Sequence, residues 1–139
     1  CQILTTPKFV ERNQRSKWLY KQYNHIFTGE TLDVGCFEAP LRHILGESHY
    51  KGIDFIGNQI SINLEDVKHL PFEDNSFDTV ICIEVLEHLE NLHALIPELF
   101  RTSRRYTLLS LPNAWRDARV KIEKGRGHIA HYGLPTEKP

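Results

Sequence analysis

The sequence of 139 residues is long enough to bury a hydrophobic core and of the length of one ordinary domain. Hydrophobic residues make up 40% and charged residues 25%, and no apolar run approaches the roughly 20 residues of a membrane span. The formal net charge of −1 argues against a protein built mainly to neutralise nucleic-acid phosphates. We therefore expect a single soluble domain, 1–139, with neither a membrane nor a nucleic acid as its partner.

The three cysteines, Cys1, Cys36 and Cys82, form no C-x-x-C pair, as expected of free thiols in a reducing, cytoplasmic setting. The chain contains no Met, not even at position 1, so we expect it to be incomplete. The sequence leaves the oligomeric state open.

Charge is distributed unevenly along the chain. Residues 54–98 contain ten acidic side chains against Lys68 alone, whereas residues 101–126 contain eight Arg or Lys against Asp117 and Glu123. The acidic middle suits a cationic ligand, and the basic end suits an anionic small-molecule substrate. The alternative is that both are solvated faces on opposite sides of one domain.

A helix is predicted over residues 7–27, because Leu19, Tyr23, Ile26 and Phe27 fall on one face. We expect this helix to cover the sheet or the mouth of a cofactor site.

A first strand is predicted over residues 31–36, followed by a short helix over 39–45 that ends at Gly46. Gly35 permits the sharp change of direction that a strand-to-helix turn needs. Backbone N–H groups at such a turn are predicted to be donors for the polar end of a ligand. We therefore interpret this stretch as a cofactor-binding turn.

Two short strands are predicted next, over residues 50–55 and 61–64. The alternation of strand and helix signals favours a parallel α/β sheet. A parallel pair normally needs a crossover of about a dozen residues or more, yet only residues 56–60 separate these two strands. Either the crossover is an abbreviated loop or part of it is missing.

The strongest strand signal is Phe77–Ile83, a nearly continuous apolar run of the kind that is buried on both faces. A turn-rich segment, residues 70–76, precedes it. An amphipathic helix follows, with a kink or a restart expected at Pro97 and an apolar face made of Leu92, Leu95, Ile96 and Leu99.

A fifth strand is predicted over residues 105–111 and is ended by Pro112 and Asn113. Residues 114–124 read as a basic helical segment. Residues 125–139 are predicted to be a loop, because they are rich in Gly, His and Pro and show no pattern of core residues.

Polar residues fall at the carboxyl ends of four successive predicted strands, at 33–37, at Asp54, at 65–66 and at 84–88. In an open parallel sheet these ends line one crevice, where ligands bind. Asp54 lies about 20 residues beyond the Gly turn, where a carboxylate can accept the two hydroxyls of a ribose. Asp66 with Val67 has the chemistry to hold an adenine. The alternative for Asp54 is an ordinary loop residue, and the alternative for Asp66 with Val67 is a loop or a helix cap.

Several segments in a fixed order resemble the motif series of the class I S-adenosylmethionine-dependent methyltransferases of the small Rossmann-like, methyltransferase type 11-like kind. They read L-D-V-G-C at 32–36, G-I-D at 52–54, L-P-F-E-D-N-S-F-D-T-V at 70–80, V-L-E-H-L at 85–89 and S-L-P-N at 110–113. The resemblance implies a Rossmann-like open, mainly parallel sheet with helices on both faces. It also implies methyl transfer from S-adenosyl-L-methionine.

The resemblance further implies roles for single residues. Asp33 and residues 35–37 surround the methionine part of the cofactor, Asp54 binds the ribose, and residues 66–67 contact the adenine. Residues 82–84 pass beside the sulfonium. The residues assigned to cofactor binding are Asp33, Gly35, Cys36, Phe37, Asp54, Phe55, Asp66, Val67, Cys82, Ile83 and Glu84.

The chain departs from the family pattern in two ways. The family turn usually reads G-x-G-x-G, and here Phe37 and Ala39 stand at the second and third Gly positions. A Phe there is expected to crowd the cofactor, while Pro40 suggests a branch of the family with Pro after the first Gly. The family sheet has seven strands with an antiparallel last pair, and this sequence offers five.

The candidate bases for removing a proton from the acceptor are His88, His128 and His131, each of which has a structural role as its alternative. Glu84 and His88 are spaced i, i+4 as metal ligands can be, but no third ligand with suitable spacing is evident, so we expect no metal.

The sequence thus predicts a cytoplasmic methyltransferase that acts on a small-molecule, glycan-like or nucleotide-linked acceptor. One alternative is a non-catalytic methyltransferase-like module, which Phe37 and the missing strands favour. The other is a nicotinamide-dependent oxidoreductase, which lacks its G-x-G-x-x-G turn here and leaves the segment 70–78 unexplained.

Overall fold

Parallel strands dominate the computed structural model, which describes residues 7–56 and 60–112. The described chain forms one five-stranded sheet in the order β3-β2-β1-β4-β5, with every neighbouring pair parallel. Its strands are β1 (Thr31–Val34), β2 (Tyr50–Asp54), β3 (Ile60–Ser61), β4 (Phe77–Ile83) and β5 (Ser103–Ser110). Its helices are α1 (Arg12–Tyr23), α2 (Arg42–Leu45) and α3 (Leu92–Thr102), with 3₁₀ turns at Asn24–Ile26 and Leu86–His88. The predicted Rossmann-like α/β fold is confirmed.

The strand order reverses between β1 and β4, which is the point where a doubly wound sheet opens a crevice beyond its carboxyl ends. Side chains of each strand alternate between two faces, as the period of a strand requires. Leu32 and Val34 face a core cluster that includes Leu95 and Leu99 of α3, whereas Ile81 faces a second cluster.

Helices cover both faces of the sheet, as predicted. The second cluster contains Ile26 and Phe27, which follow α1, and receives Ile44 and Leu45 from α2. Helix α3 continues through Pro97, so the restart expected there is wrong. Within residues 7–56 and 60–112, no helix combines the length and apolar character needed to cross a membrane.

Two predicted boundaries at the turn after β1 are wrong for one physical reason. Strand β1 ends at Val34 rather than at 36 because Gly35 has φ +80°, and α2 begins at Arg42 rather than at 39 because Ala39 has φ +48°. Neither angle fits a strand or a right-handed helix.

Strand β3 occupies Ile60–Ser61, earlier than the predicted 61–64, and Leu64 lies in the core instead. It pairs in parallel with β2 through Ile53 with Ile60 and Asp54 with Ser61. Only residues 55–59 connect the two strands, fewer than the dozen or so that a parallel crossover normally needs.

The segment 70–76 is held against α3 by Arg101. Its guanidinium donates to the carbonyl oxygens of Leu70 and Phe72, at 3.1 and 2.8 Å, and to the carboxylates of Asp74 and Glu98. Glu98 in turn accepts the backbone N–H of Leu70 at 2.7 Å. This network fixes the segment that leads into β4, the central strand of the crevice.

Candidate functional site

The turn after β1 is built on a glycine that no other residue can replace without strain. Gly35 adopts φ +80°, and its N–H donates to the carbonyl oxygen of Ile53 at 2.8 Å. A Cβ at this position would lie 2.3 Å from Cγ2 of Val85. Both the backbone angle and the packing therefore require Gly here.

Phe37 and Ala39, which stand where the family usually has glycines, also adopt positive φ, at +46° and +48°. This left-handed region disfavours side chains and costs on the order of 1 kcal/mol or more per residue. Phe37 and Ala39 thus hold a conformation that glycine adopts more readily. Phe37 does not displace the turn, although its ring lies beside the site.

The prediction that the backbone donors of this turn wait for a ligand is wrong for Gly35, Cys36, Phe37 and Ala39. The N–H of Cys36 donates to the carbonyl oxygen of Ile53, that of Ala39 to Cys36, and that of Phe37 to Oδ2 of Asp54 at 2.8 Å. These donors are satisfied inside the protein. The polar groups that the turn presents to a ligand are consequently the carboxylates around it.

Asp54, at the end of β2, is held by two backbone donors. Its Oδ2 accepts the N–H of Phe37 at 2.8 Å, and its Oδ1 accepts the N–H of Phe55 at 2.6 Å. A carboxylate has about four acceptor sites, so each oxygen keeps capacity for one further donor such as a ribose hydroxyl. The carboxylate is thus fixed in place before a ligand arrives.

Asp33 is a buried carboxyl in the middle of the sheet edge, with 6% of its surface exposed. Burial raises its pKa to about 6, although the Tyr50 hydroxyl, which donates to Oδ2 at 2.7 Å, opposes the shift. Burial likewise raises the pKa of the Cys36 thiol to about 11. Cys36 is therefore a packed thiol rather than a nucleophile, and burial favours the neutral form of the Asp33 carboxyl.

The crevice at the strand ends contains two cavities that share Arg12 and Gly35. The larger, of about 250 Å³, is lined by Arg12, Gly35, Phe37, Asp54, Phe55, Asn63, Leu64, Glu84, Val85, His88 and Leu89. The smaller, of about 40 Å³, is lined by Arg12, Arg15, Ser16, Leu19, Asp33, Gly35, Cys36, Pro40, Leu41 and Ile83. Helix α1 therefore covers the mouth of the site, as its sequence predicts.

Most of the residues assigned to the cofactor come together at these two cavities. The predicted residues that line them are Asp33, Gly35, Cys36, Phe37, Asp54, Phe55, Ile83 and Glu84. His88, a candidate base, also lines the larger one. His128 and His131 lie outside the described residues, as do the predicted segments 114–124 and 125–139.

Three assigned residues lie away from the cavity walls. Cys82 is fully buried in the core, and Val67 is buried in the same cluster. Asp66 is exposed and accepts the amide of Asn63 at 2.6 Å. Asn63, rather than Asp66 itself, faces the cavity, so the adenine assignment of Asp66 and Val67 stays a prediction.

Sequence reasoning missed the residues that α1 and the neighbouring loops contribute, chiefly Arg12, Arg15, Asn63 and Val85. The amphipathic face of α1 points to Leu19, but nothing in the helical period marks Arg12 as a site residue. Asn63 has only a local signal, because Asn commonly accepts a backbone N–H two residues on, as it does here from Glu65 at 3.2 Å.

Glu84, at the end of β4, adopts φ +56° and is tied to β5. Its N–H donates to the Ser110 hydroxyl, which donates to Oε1 of Glu84, both at 2.9 Å. Nearby Glu87 is largely buried, which raises the pKa of its carboxyl. Among the described residues, no group of three or more His, Cys, Asp or Glu side chains is placed to hold a metal ion.

Comparison with known proteins agrees with this geometry. The family described as a methyltransferase domain matches residues 32–109. A tRNA U34 carboxymethyltransferase of Nautilia profundicola is 30% identical over 111 residues, covering 66% of this chain and 37% of that protein. An uncharacterized protein of Methanocaldococcus jannaschii is 60% identical over 76 residues, covering 46% of this chain and 32% of that protein. The chain thus spans about a third of the length of the curated relatives it matches.

Among solved structures, a possible histamine N-methyltransferase of Thermotoga maritima aligns with a TM-score of 0.57, covering 81% of this chain and 59% of that one. Its identity of 15% makes it evidence for the fold alone. The family match covers more than half of the chain and contains the whole sheet edge described above. The chain belongs to the methyltransferase domain family.

Proposed function

We propose that the protein transfers a methyl group from S-adenosylmethionine to a small-molecule, glycan-like or nucleotide-linked acceptor. The observation that carries the proposal is the fixed pair of carboxylates at the switch point, Asp33 in the smaller cavity and Asp54 in the larger. The cofactor carries an ammonium group at one end and two ribose hydroxyls nearer the other. A carboxylate is a suitable partner for each.

The two carboxylates suit this cofactor in charge and in hydrogen-bonding capacity. Asp54 keeps acceptor capacity for ribose hydroxyls, and Asp33, whose buried carboxyl has no cation bonded to it in the described chain, suits the ammonium. In this proposal Gly35, Cys36 and Phe37 border the methionine part. Ile83 and Glu84, with Cys82 behind them, border the sulfonium.

The adenine is assigned to the far side of the larger cavity, where Phe55, Asn63 and Leu64 lie. Asp66 reaches this region through its hydrogen bond with the Asn63 amide. Val67 supports it from the core, where the Asn91 amide donates to its carbonyl oxygen at 2.6 Å.

S-adenosylmethionine supplies a methyl group that its positive sulfur already activates. The protein's part is to align the acceptor behind that methyl group and, for an O or N acceptor, to take up a proton. His88 is the described histidine placed for the second task, since it lines the larger cavity and its side chain is largely exposed. His128 and His131 remain further candidates.

An anionic acceptor is favoured by the positive charge at the mouth of the site. Arg12 and Arg15 of α1 line the smaller cavity, and Arg12 also reaches the larger one. The relatives' names point to different acceptors, a tRNA and a histamine, so they do not choose the acceptor for this chain. A reducing, cytoplasmic location is part of the proposal and suits the two buried free thiols, Cys36 and Cys82.

Calorimetric titration with S-adenosylmethionine and with NAD tests the proposal against both alternatives. Micromolar binding of S-adenosylmethionine with no binding of NAD supports it, and methyl transfer to a panel of sugars, nucleotide-sugars and nucleic acids then selects the acceptor class. Tight NAD binding would favour an oxidoreductase. Cofactor binding without transfer to any member of the panel would favour the non-catalytic module.

A further inference from the structure

The two cavities meet at one place, between Arg12 and Gly35. Asp54 lines only the larger cavity, and Asp33 lines only the smaller one. In the proposed function these carboxylates hold the ribose and the amino-acid ends of the cofactor. The atom that joins those two ends is the positive sulfur, so the sulfur belongs at the junction of the cavities.

An aromatic ring lies at this junction and already carries a cation on its face. The Arg12 guanidinium carbon lies 4.7 Å from the centroid of the Phe37 ring, and both residues line the larger cavity. The ring is 38% exposed, so a ligand can reach it. A cation within about 6 Å of an aromatic centroid is attracted by the negative face of the ring.

The backbone fixes where this ring stands. Phe37 holds φ +46°, its N–H is bonded to Asp54, and its neighbour Gly35 is locked by Ile53. The ring is therefore anchored to the carboxylate that is assigned to the ribose hydroxyls.

We propose that the Phe37 ring is a cation subsite that takes the sulfonium of S-adenosylmethionine in exchange for the Arg12 guanidinium. This inference rests on the proposed function and assigns a specificity role to one residue within it. The ring distinguishes the charged cofactor from S-adenosylhomocysteine, the neutral thioether product, which has the same ribose and amino-acid ends. Arg12 weakens this discrimination, because its guanidinium competes with the sulfonium for the same face of the Phe37 ring.

The test is the ratio of the dissociation constants of S-adenosylhomocysteine and S-adenosylmethionine, measured by calorimetry. Contacts common to both ligands cancel in this ratio. Phe37→Leu keeps an apolar, non-glycine residue at the same backbone angle but removes the ring, so it should lower the ratio roughly threefold to tenfold. Phe37→Tyr keeps the ring and should leave the ratio within about twofold.

Arg12→Gln removes the competing cation and should raise the ratio, even if the affinity for both ligands falls together. Thermal unfolding of each variant establishes that it is folded. A ratio that is unchanged in Phe37→Leu, or that falls in Arg12→Gln, would overturn the inference while leaving cofactor binding intact. Failure of the unaltered protein to bind either ligand would instead overturn the proposed function, and the inference with it.

Discussion

The backbone N–H of Phe37 donates to Oδ2 of Asp54 over 2.8 Å, and this bond joins the turn after β1 to the end of β2. One carboxylate thereby serves both as an anchor for the turn and as the predicted partner of the ribose. The arrangement explains how the turn keeps its path with Phe and Ala at two glycine positions, because Asp54 holds the strained segment from outside. Substitutions at Phe37 and Asp54 are therefore expected to have non-additive effects on stability.

Gly35→Ala should destabilise the protein more than Gly46→Ala. Both glycines have positive φ, +80° and +85°, so each substitution costs roughly 1 kcal/mol of backbone strain. A Cβ at Gly35 would also meet Val85 at 2.3 Å, whereas one at Gly46 would meet nothing within 4 Å. The added overlap should cost a further 1–3 kcal/mol or so in the free energy of unfolding, measured with urea. Equal losses in the two variants would show that Val85 moves aside freely.

Asp33→Asn should stabilise the free protein above pH 6 and weaken cofactor binding there. Burial raises the pKa of Asp33 from 3.8 to about 6. Because the folded pKa is the higher one, the stability that protonated Asp33 contributes is complete below about pH 4 and is lost as the pH rises through about 6. Asn stays neutral throughout and can still accept the Tyr50 hydroxyl.

Unfolding free energies of the two proteins, measured from pH 4 to pH 8, should therefore diverge by on the order of 2 kcal/mol in favour of the variant. At pH 8 the Asp33→Asn variant should bind S-adenosylmethionine more weakly than the unaltered protein, as measured by titration. If the difference in unfolding free energy between the two proteins stayed constant from pH 4 to pH 8, burial would not raise the pKa of Asp33.

Arg101→Met should cost about 3 kcal/mol of stability, because it leaves Glu98 and the carbonyl oxygens of Leu70 and Phe72 without their shared donor. Arg104→Met is the matched control. Arg104 pairs with Asp78 at 3.2 Å, but its side chain is 55% exposed, so its loss should cost about 0.5 kcal/mol. Denaturant unfolding of both variants measures the difference, and similar losses would contradict the role given to Arg101.

The hydrogen bonds between Arg101 and Glu98 should make the protein less stable in acid. Hydrogen bonds from Arg101 lower the pKa of Glu98 from 4.5 to about 2. Because the folded pKa is the lower one, the stability that ionised Glu98 contributes is present above about pH 4.5 and is lost as the pH falls towards 2. The destabilisation caused by Glu98→Gln should accordingly shrink as the pH is lowered through that window. A destabilisation that is constant with pH would place the effect in packing rather than charge.

The sheet and the location of the site follow from local patterns in the sequence. The apolar run Phe77–Ile83 and the acids at the ends of the first two strands need only the period of a strand and the rule that ligands bind at carboxyl ends. These patterns support one another, because the structure brings Asp33, Asp54 and Glu84 to the same crevice from three different strands.

The details that sequence reasoning missed depend on contacts between distant segments. The positive φ of Phe37 and Ala39 cannot be read from residues that normally avoid it, because it is imposed by Asp54 and by the turn as a whole. Arg12 looks like any solvated helix residue until α1 is packed over the crevice. The donors of Gly35, Cys36 and Phe37 were assigned to a ligand because their partners, Ile53 and Asp54, lie on another strand.

The affinity of Asp54→Ala for S-adenosylmethionine tests the central claim most directly. The variant loses the acceptor assigned to the ribose, and hydrogen bonds to a charged group are worth about 1.5–3 kcal/mol each, so affinity should fall at least tenfold. Asp78→Ala is the control, because Asp78 also accepts a backbone N–H, that of Glu30 at 3.1 Å, but does not line either cavity. We expect a folded Asp54→Ala protein with weakened binding and an Asp78→Ala protein with unchanged binding. Unchanged affinity in Asp54→Ala would contradict the placement of the cofactor in this crevice.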